Sequence, residues 1–297
     1  MTERSEARAA AVTGDADTIA APSTATPTGP PPYPPARHAL RDLRLAIEPL
    51  GDDRAVARMP LDAGARVAGE PAPGVLPTMI DALGGHLALA AALPDWMATS
   101  ALTLHRWATP GGPVTAEGRV VRRGRTGLVV EVTVADATAT APATATVALA
   151  TLAFTVLPRR AGTLVVDRPP GGLPPLALAP EAAGDASPVA AALGYRAEPG
   201  GARVDLVPYV SNSFGALNGG VLAGLAEAAA AGVAGGGVAR QLTVHYLRQA
   251  TVGPVVARAR PLGRTGDLGA WQVDVVDAGA DDRHVAIATV LVDPPAP

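Results

Sequence analysis

The chain has 297 residues, 48% hydrophobic and 17% charged, which is enough for about two globular cores and too apolar for disorder throughout. Its basic residues are all arginine, and against 27 acids they leave a formal charge of -3, which gives no electrostatic case for a nucleic-acid partner. With neither cysteine nor lysine there is no disulfide framework, thiol nucleophile, thiolate zinc site or Schiff-base amine.

Residues 1–36 combine Ala, Thr and acids with the run Pro30-Pro31-Pro32-Tyr33-Pro34-Pro35, and their composition reads as a disordered tail. They lack the basic start and apolar stretch of a secretory signal, so the cytoplasm is the expected location. The long uncharged stretches 137–158 and 206–226 are broken by Pro142 and by polar or glycine-rich turns, and no membrane span is expected. Residues 158–187 are rich in Pro and Gly and read as a linker between a first module, 37–157, and a second, 188–297.

The two modules share ordered matches. Gly74-Val75-Leu76 with Asp81 matches Gly220-Val221-Leu222 with Glu227 at an offset of 146. Leu102-Thr103-Leu104-His105 matches Leu242-Thr243-Val244-His245, Gly112-Pro113-Val114 matches Gly253-Pro254-Val255, and Gly124-Arg125-Thr126-Gly127 matches Gly263-Arg264-Thr265-Gly266, at offsets of 140, 141 and 139. The same order at nearly constant offset marks an internal duplication. Each copy predicts one long apolar helix, from about Gly74 to Leu93 (stopped by Pro94) and from about Gly219 to Ala234 (stopped by Gly235-Gly236-Gly237). Alternating β-branched runs follow: 129–134 and 147–156, then 272–276 and 285–292. One helix followed by strands implies an α+β fold with an antiparallel sheet.

Between Asp205 and Arg240 the only ionisable acid, base or histidine is Glu227, on a helix apolar all round. Burial should raise its pKa toward the range useful for acid/base work, although a rim carboxylate paired with a sheet arginine fits the same pattern. Upstream, Asn212 to Gly220 form a polar, glycine-rich turn whose backbone N–H groups, at Gly220 and Val221, could stabilise an oxyanion. A helix capped by Asn218 is the plainer alternative. Glu227 lies about 10 Å further along the axis on the same side, so a thioester could lie between them. His105 and His245, on alternating strands without a ligand cluster, read as structural.

These residues resemble the hotdog-fold acyl-CoA thioesterases, in particular the phenylacetyl-CoA thioesterase type, with two hotdog modules in tandem. Asn212, Gly215, Gly219, Gly220 and Glu227 fit that family's pattern, and Asn218 stands where the family has His. The resemblance implies hydrolysis of an acyl-CoA thioester without metal or redox cofactor, coenzyme A being part of the substrate. It assigns catalysis to Glu227, Gly220, Val221 and Asn218, with Asp81 at the same acid position in the first copy. It assigns substrate binding to Asn212, Gly215 and Gly219. Arg264 and Arg125, beside Arg122 and Arg123, could meet the coenzyme A phosphates. The first copy's helix start, Pro71-Ala72-Pro73-Gly74, has lost the Asn and paired Gly, so that copy is expected to be degenerate and to serve as an intramolecular pseudo-dimer partner, a further homodimer being left open. The rivals are a non-catalytic acyl-CoA-binding or sensing protein and a hydratase, the latter disfavoured because the second helix has no histidine.

Overall fold

The computed structural model describes residues 33–140, 145–158, 173–180 and 188–294. At its centre stand two long helices, Val75–Ala92 and Gly219–Val233. The first is long and apolar enough to cross a membrane by length and composition, yet 72% of it is buried inside the protein. Val75, Met79, Ile80, Leu83 and Leu87 on the first helix, and Val221, Leu222, Leu225 and Ala229 on the second, are packed away from water, so each helix is the core of its copy.

Around the first helix curve β1 (Ala46–Pro49), β2 (Arg54–Met59), β5 (Trp96–Arg106), β6 (Val114–Arg123), β7 (Gly127–Asp136) and β8 (Thr146–Leu157). A two-stranded ribbon, β3 (Arg66–Val67) with β4 (Glu70–Pro71), leads into the helix. The second copy has β10 (Arg196–Glu198), β11 (Gly201–Val204), β12 (Val238–Tyr246), β13 (Val255–Thr265), β14 (Leu268–Asp277) and β15 (Arg283–Asp293). The strands alternate inward apolar with outward residues, as in β7, where Leu128, Val130, Val132 and Val134 face the helix. From the centre outward the first copy runs β5-β8-β7-β6-β2-β1 and the second β12-β15-β14-β13-β11-β10, all antiparallel. The order is the same in both, so the expected α+β fold of two tandem hotdog modules is what the chain adopts.

β12 pairs with β5, joining the copies into one sheet. Thr103 lies opposite Thr243, their hydroxyl oxygens 3.3 Å apart. Because these two are also matched positions of the duplication, the pseudo-twofold axis passes between them. Bulges recur at Thr99/Ala101 and at Ala239/Gln241, again related by that axis.

The helices touch where side chains are absent. A Cβ on Gly220 would lie 2.6 Å from the Pro77 carbonyl oxygen and closer still to Thr78 Cα. A Cβ on Gly224 would lie 2.5 Å from the backbone nitrogen of Gly74, which itself adopts a left-handed φ of 82°. Gly74 and Thr78 are the counterparts of Gly220 and Gly224, so the two contacts are one contact seen twice.

The boundaries differ from those expected in two places. Residues 33–36, read as tail, belong to the folded unit that begins at Tyr33, while the rest of the tail lies outside the described residues. Within the linker, Leu176–Ala177 form β9, paired with β1 at the sheet edge, and Leu178 donates its N–H to Leu45 O at 3.0 Å. Residues 159–172 and 181–187 of the linker lie outside the described residues.

Candidate active site

The crossing of the helices brings each carboxylate to the start of the other copy's helix. Asp81, 8% exposed, accepts from the Gly220 N–H at 3.3 Å through Oδ2 and from the Thr99 hydroxyl at 2.8 Å through Oδ1. Position 219 is close as well, since a Cβ there would lie 3.0 Å from Asp81 Oδ2 and the carboxylate would have to shift slightly. Burial raises the Asp81 pKa, and the bonds from Thr99 and Gly220 partly offset it.

Asn218 caps this helix: its Oδ1 accepts from Gly220 N at 2.9 Å and Val221 N at 3.2 Å. The two N–H groups expected to face a substrate oxygen are therefore held by the cap, and Gly220 N is shared with Asp81. Tyr246, the counterpart of Arg106, closes the site by donating its hydroxyl to Gly219 O at 2.8 Å. Its ionisation is suppressed first by burial and then by the Asp81 charge.

Glu227, 7% exposed, sits at the other crossing and accepts from the Gly74 N–H at 2.8 Å. It is thus not paired with Gly220 and Val221 of its own helix, as the sequence suggested, because the neighbouring helix start is nearer than two turns of its own helix. Burial raises its pKa, against the pull of Arg106 and the Gly74 bond. Arg106, with a side chain 7% exposed, donates to Ala239 O at 3.1 Å and 3.3 Å and lies 3.5 Å from Glu70. Tyr195 donates to Val221 O at 2.8 Å and its hydroxyl lies against Gly74 and Gly224. The start of the first helix carries no side-chain cap bond. This crossing holds a counter-ion where the other has a tyrosine.

Asn212 shapes the loop: its Oδ1 accepts from Phe214 N at 2.9 Å and Ala216 N at 3.1 Å. Gly215 supplies a left-handed φ of 74° within that loop. Phe214 packs edge-on against Trp96, ring centroids 4.9 Å apart, tying the loop to the first copy. Arg125 lies in the turn between β6 and β7, and Arg264 donates to Asp267 O at 3.0 Å in the equivalent hairpin. The sheet register runs from Arg123 through Leu128 and Phe154 to Thr99, and from Arg264 through Gly269 and Val292 to Ala239. The first hairpin thus lies three strands, about 14 Å, from the strand that carries Thr99. Among the described residues no group of three or more His, Asp or Glu is placed to hold a metal ion.

Sequence reasoning missed Thr99, Tyr246, Arg106, Tyr195 and Tyr33. For Tyr246 and Arg106 a signal existed: both directly follow matched strand runs, so an axis through Thr103 and Thr243 puts them at equivalent places. Nothing in composition pointed to Tyr33, which stands in a proline run.

Fold and duplicated site define the chain as a double hotdog protein, with two composite sites at the helix crossings. Two segments, residues 73–143 and 214–282, match the thioesterase superfamily, and each contains one central helix with its carboxylate. Among solved structures, a protein described as a candidate thioesterase II from Thermobifida fusca YX is similar at 19% identity, over 88% of this chain and 99% of that one, with a TM-score of 0.55. The TesB protein of Mycobacterium avium subs paratuberculosis is similar at 16% identity, over 86% and 98%, with a TM-score of 0.56. A hot dog fold protein of unknown function from Alicyclobacillus acidocaldarius follows at 16%, over 88% and 99%, with a TM-score of 0.52. At these identities the likeness is one of fold. No curated protein sequence matches the chain.

Proposed function

We propose that the chain hydrolyses an acyl-CoA thioester at the crossing where Asp81 of the first copy meets the Asn218–Val221 helix start of the second. The observation that carries this is the Gly220 N–H within 3.3 Å of Asp81 Oδ2. A buried carboxylate beside a helix-start donor supports this reading, since thioester hydrolysis needs both groups. The bond is long, so a substrate carbonyl oxygen takes the place of the carboxylate on that N–H, which it shares with the Asn218 cap, and leaves Asp81 free to act on water. Water adds to the thioester carbon as its proton passes to Asp81, and the oxyanion forms against Gly220 N–H and the helix start. Collapse breaks the C–S bond, and the departing thiolate takes the proton from Asp81, giving the free acid and the coenzyme A thiol. Direct attack by Asp81, through a mixed anhydride, is the other route, and label entering the protein in a single turnover in 18O-water identifies it.

Glu227 has a different task in this reading, a staple on the Gly74 helix start that lies in the field of Arg106, and the Glu227 assignment drawn from the sequence becomes the alternative under test. Arg125 is the residue proposed to meet the coenzyme A phosphates on the Asp81 side. Thiol release over an acyl-CoA panel that includes phenylacetyl-CoA tests the proposal. Asp81→Asn is expected to lower turnover on the order of 100-fold or more while Glu227→Gln retains most of it. A dead Glu227→Gln with intact fold moves the site to the other crossing. A parent protein that binds without turnover is the sensing protein instead, a reading that the Asn218 cap on both N–H groups favours.

A further inference from the structure

Residues 33–38 form a strap against Ser211, in the loop that leads to the Asp81 crossing, and are held by their own chain. Arg41 donates through Nε to Pro35 O at 2.9 Å and through Nη2 to Pro34 O at 3.1 Å. His38 Nδ1 accepts from Leu40 N at 3.1 Å, so the ring hydrogen is on Nε2, which donates to Ser211 O at 2.8 Å. The Tyr33 hydroxyl donates to the same carbonyl at 3.3 Å, and the two rings meet edge-on with centroids 5.2 Å apart.

Ser211 opens the loop that ends at the cap. That loop is bound to itself by the Ser211–Leu217 bridge, the two Asn212 bonds and Asn218 N donating to Val210 O at 2.9 Å. A fixed Ser211 therefore fixes Asn218. The hydroxyl end of Tyr33 also comes near the Asn218 side chain, and the Asp81 charge acts on it, so one side chain is within electrostatic reach of both halves of the site. Tyr33 as a residue is 42% exposed and lies outside the buried core.

We propose that the strap Tyr33–His38 is a positioning element of the Asp81 site: through Ser211 and Asn218 it holds Gly220 at its working distance from Asp81. The catalytic consequence rests on the proposed thioester hydrolysis, whereas the restraint on the loop does not. Tyr33→Phe keeps the ring packing and loses the hydroxyl bonds, and Tyr33→Ala loses both.

In the full-length chain, amide hydrogen exchange over residues 211–221 is measured beside kcat and KM for the acyl-CoA that the parent turns over fastest, with thermal unfolding as the check on fold. Tyr33→Ala is expected to speed exchange of that segment about tenfold and to lower kcat about tenfold with KM within about twofold. Tyr33→Phe is expected to fall between Tyr33→Ala and the parent, since one or two modest hydrogen bonds are worth that much. Unchanged exchange in both variants overturns the proposal. So does an unchanged kcat in an active parent, and so does a rise in kcat/KM, which would make the strap an obstruction. If the parent turns over no thioester, the hydrolytic reading fails and the exchange result alone decides the strap.

Discussion

Replacing Thr99 with valine removes a hydroxyl and little else, and it touches the one quantity that a general base depends on. Thr99 donates to Asp81 Oδ1 at 2.8 Å, a bond that favours the charged carboxylate and works against the burial that raises its pKa. Without it the Asp81 pKa climbs further. A hydrogen bond to a charged group is worth about 1.5–3 kcal/mol, and one pKa unit corresponds to about 1.4 kcal/mol, so the climb is about one to two units. The acid limb of the pH profile of kcat/KM, which reports the free enzyme, should move upward by that amount, with the alkaline plateau changed far less. Thr99→Ser, which keeps the donor, should hold the limb near its parental position. Thiol release followed between about pH 4.5 and 8.5 reads both variants. An acid limb that stays in place, or moves down, in Thr99→Val with an intact fold refutes Asp81 as the titrating base and with it the proposed site.

Three further outcomes follow from the packing and charges. Gly220→Ala drives a Cβ into backbone at Pro77 and Thr78, which cannot swing aside as a side chain can, so unfolding should lose roughly 3 kcal/mol and chemical denaturation should show it. Arg106→Met leaves Glu70 without its ion-pair partner and Glu227 without the nearby positive charge, and should cost roughly 3 kcal/mol; adding Glu227→Gln should recover part of that, and a double-mutant cycle with no coupling would contradict the electrostatic link. His38 is held neutral, its pKa lowered by burial and by Arg41 against the Ser211 bond and Asp42. Its contribution to stability is present above the unfolded histidine value and falls away as pH drops below it toward the lower folded value. Melting temperatures at about pH 7.5 and 5.5 should differ less in His38→Asn, whose side chain can still accept from Leu40 N, than in the parent.

The duplication, the two central helices and the paired acids were legible because they depend on local periodicity and on matches at near-constant offset. The partners of those acids were not. Spacing along a helix says that Glu227 and Gly220 share a side, but not that Gly74 of the other copy stands nearer to that side. The crossing that settles it depends on Gly220 against Thr78 and Gly224 against Gly74, two backbone contacts with no side-chain signature. The cap by Asn218 was readable as one of two alternatives, and its geometry shows both donors engaged. Tyr33 was lost to composition, because a proline run looks like a tail until Arg41 and His38, further along the chain, are seen to grip it.

The seam at Thr103 and Thr243 also bears on how such a protein can change over time. Two identical subunits meeting at that axis would carry every substitution in both crossings at once, so a change that improved one would be imposed on the other. Here the two sides of the seam are encoded separately. One crossing can keep Asp81, Tyr246 and a capped glycine helix start while the other takes Glu227, Arg106 and a proline-bearing one. Linking the copies thus frees each crossing from the other's constraints, and it lets one side harden into scaffold without loss to its neighbour.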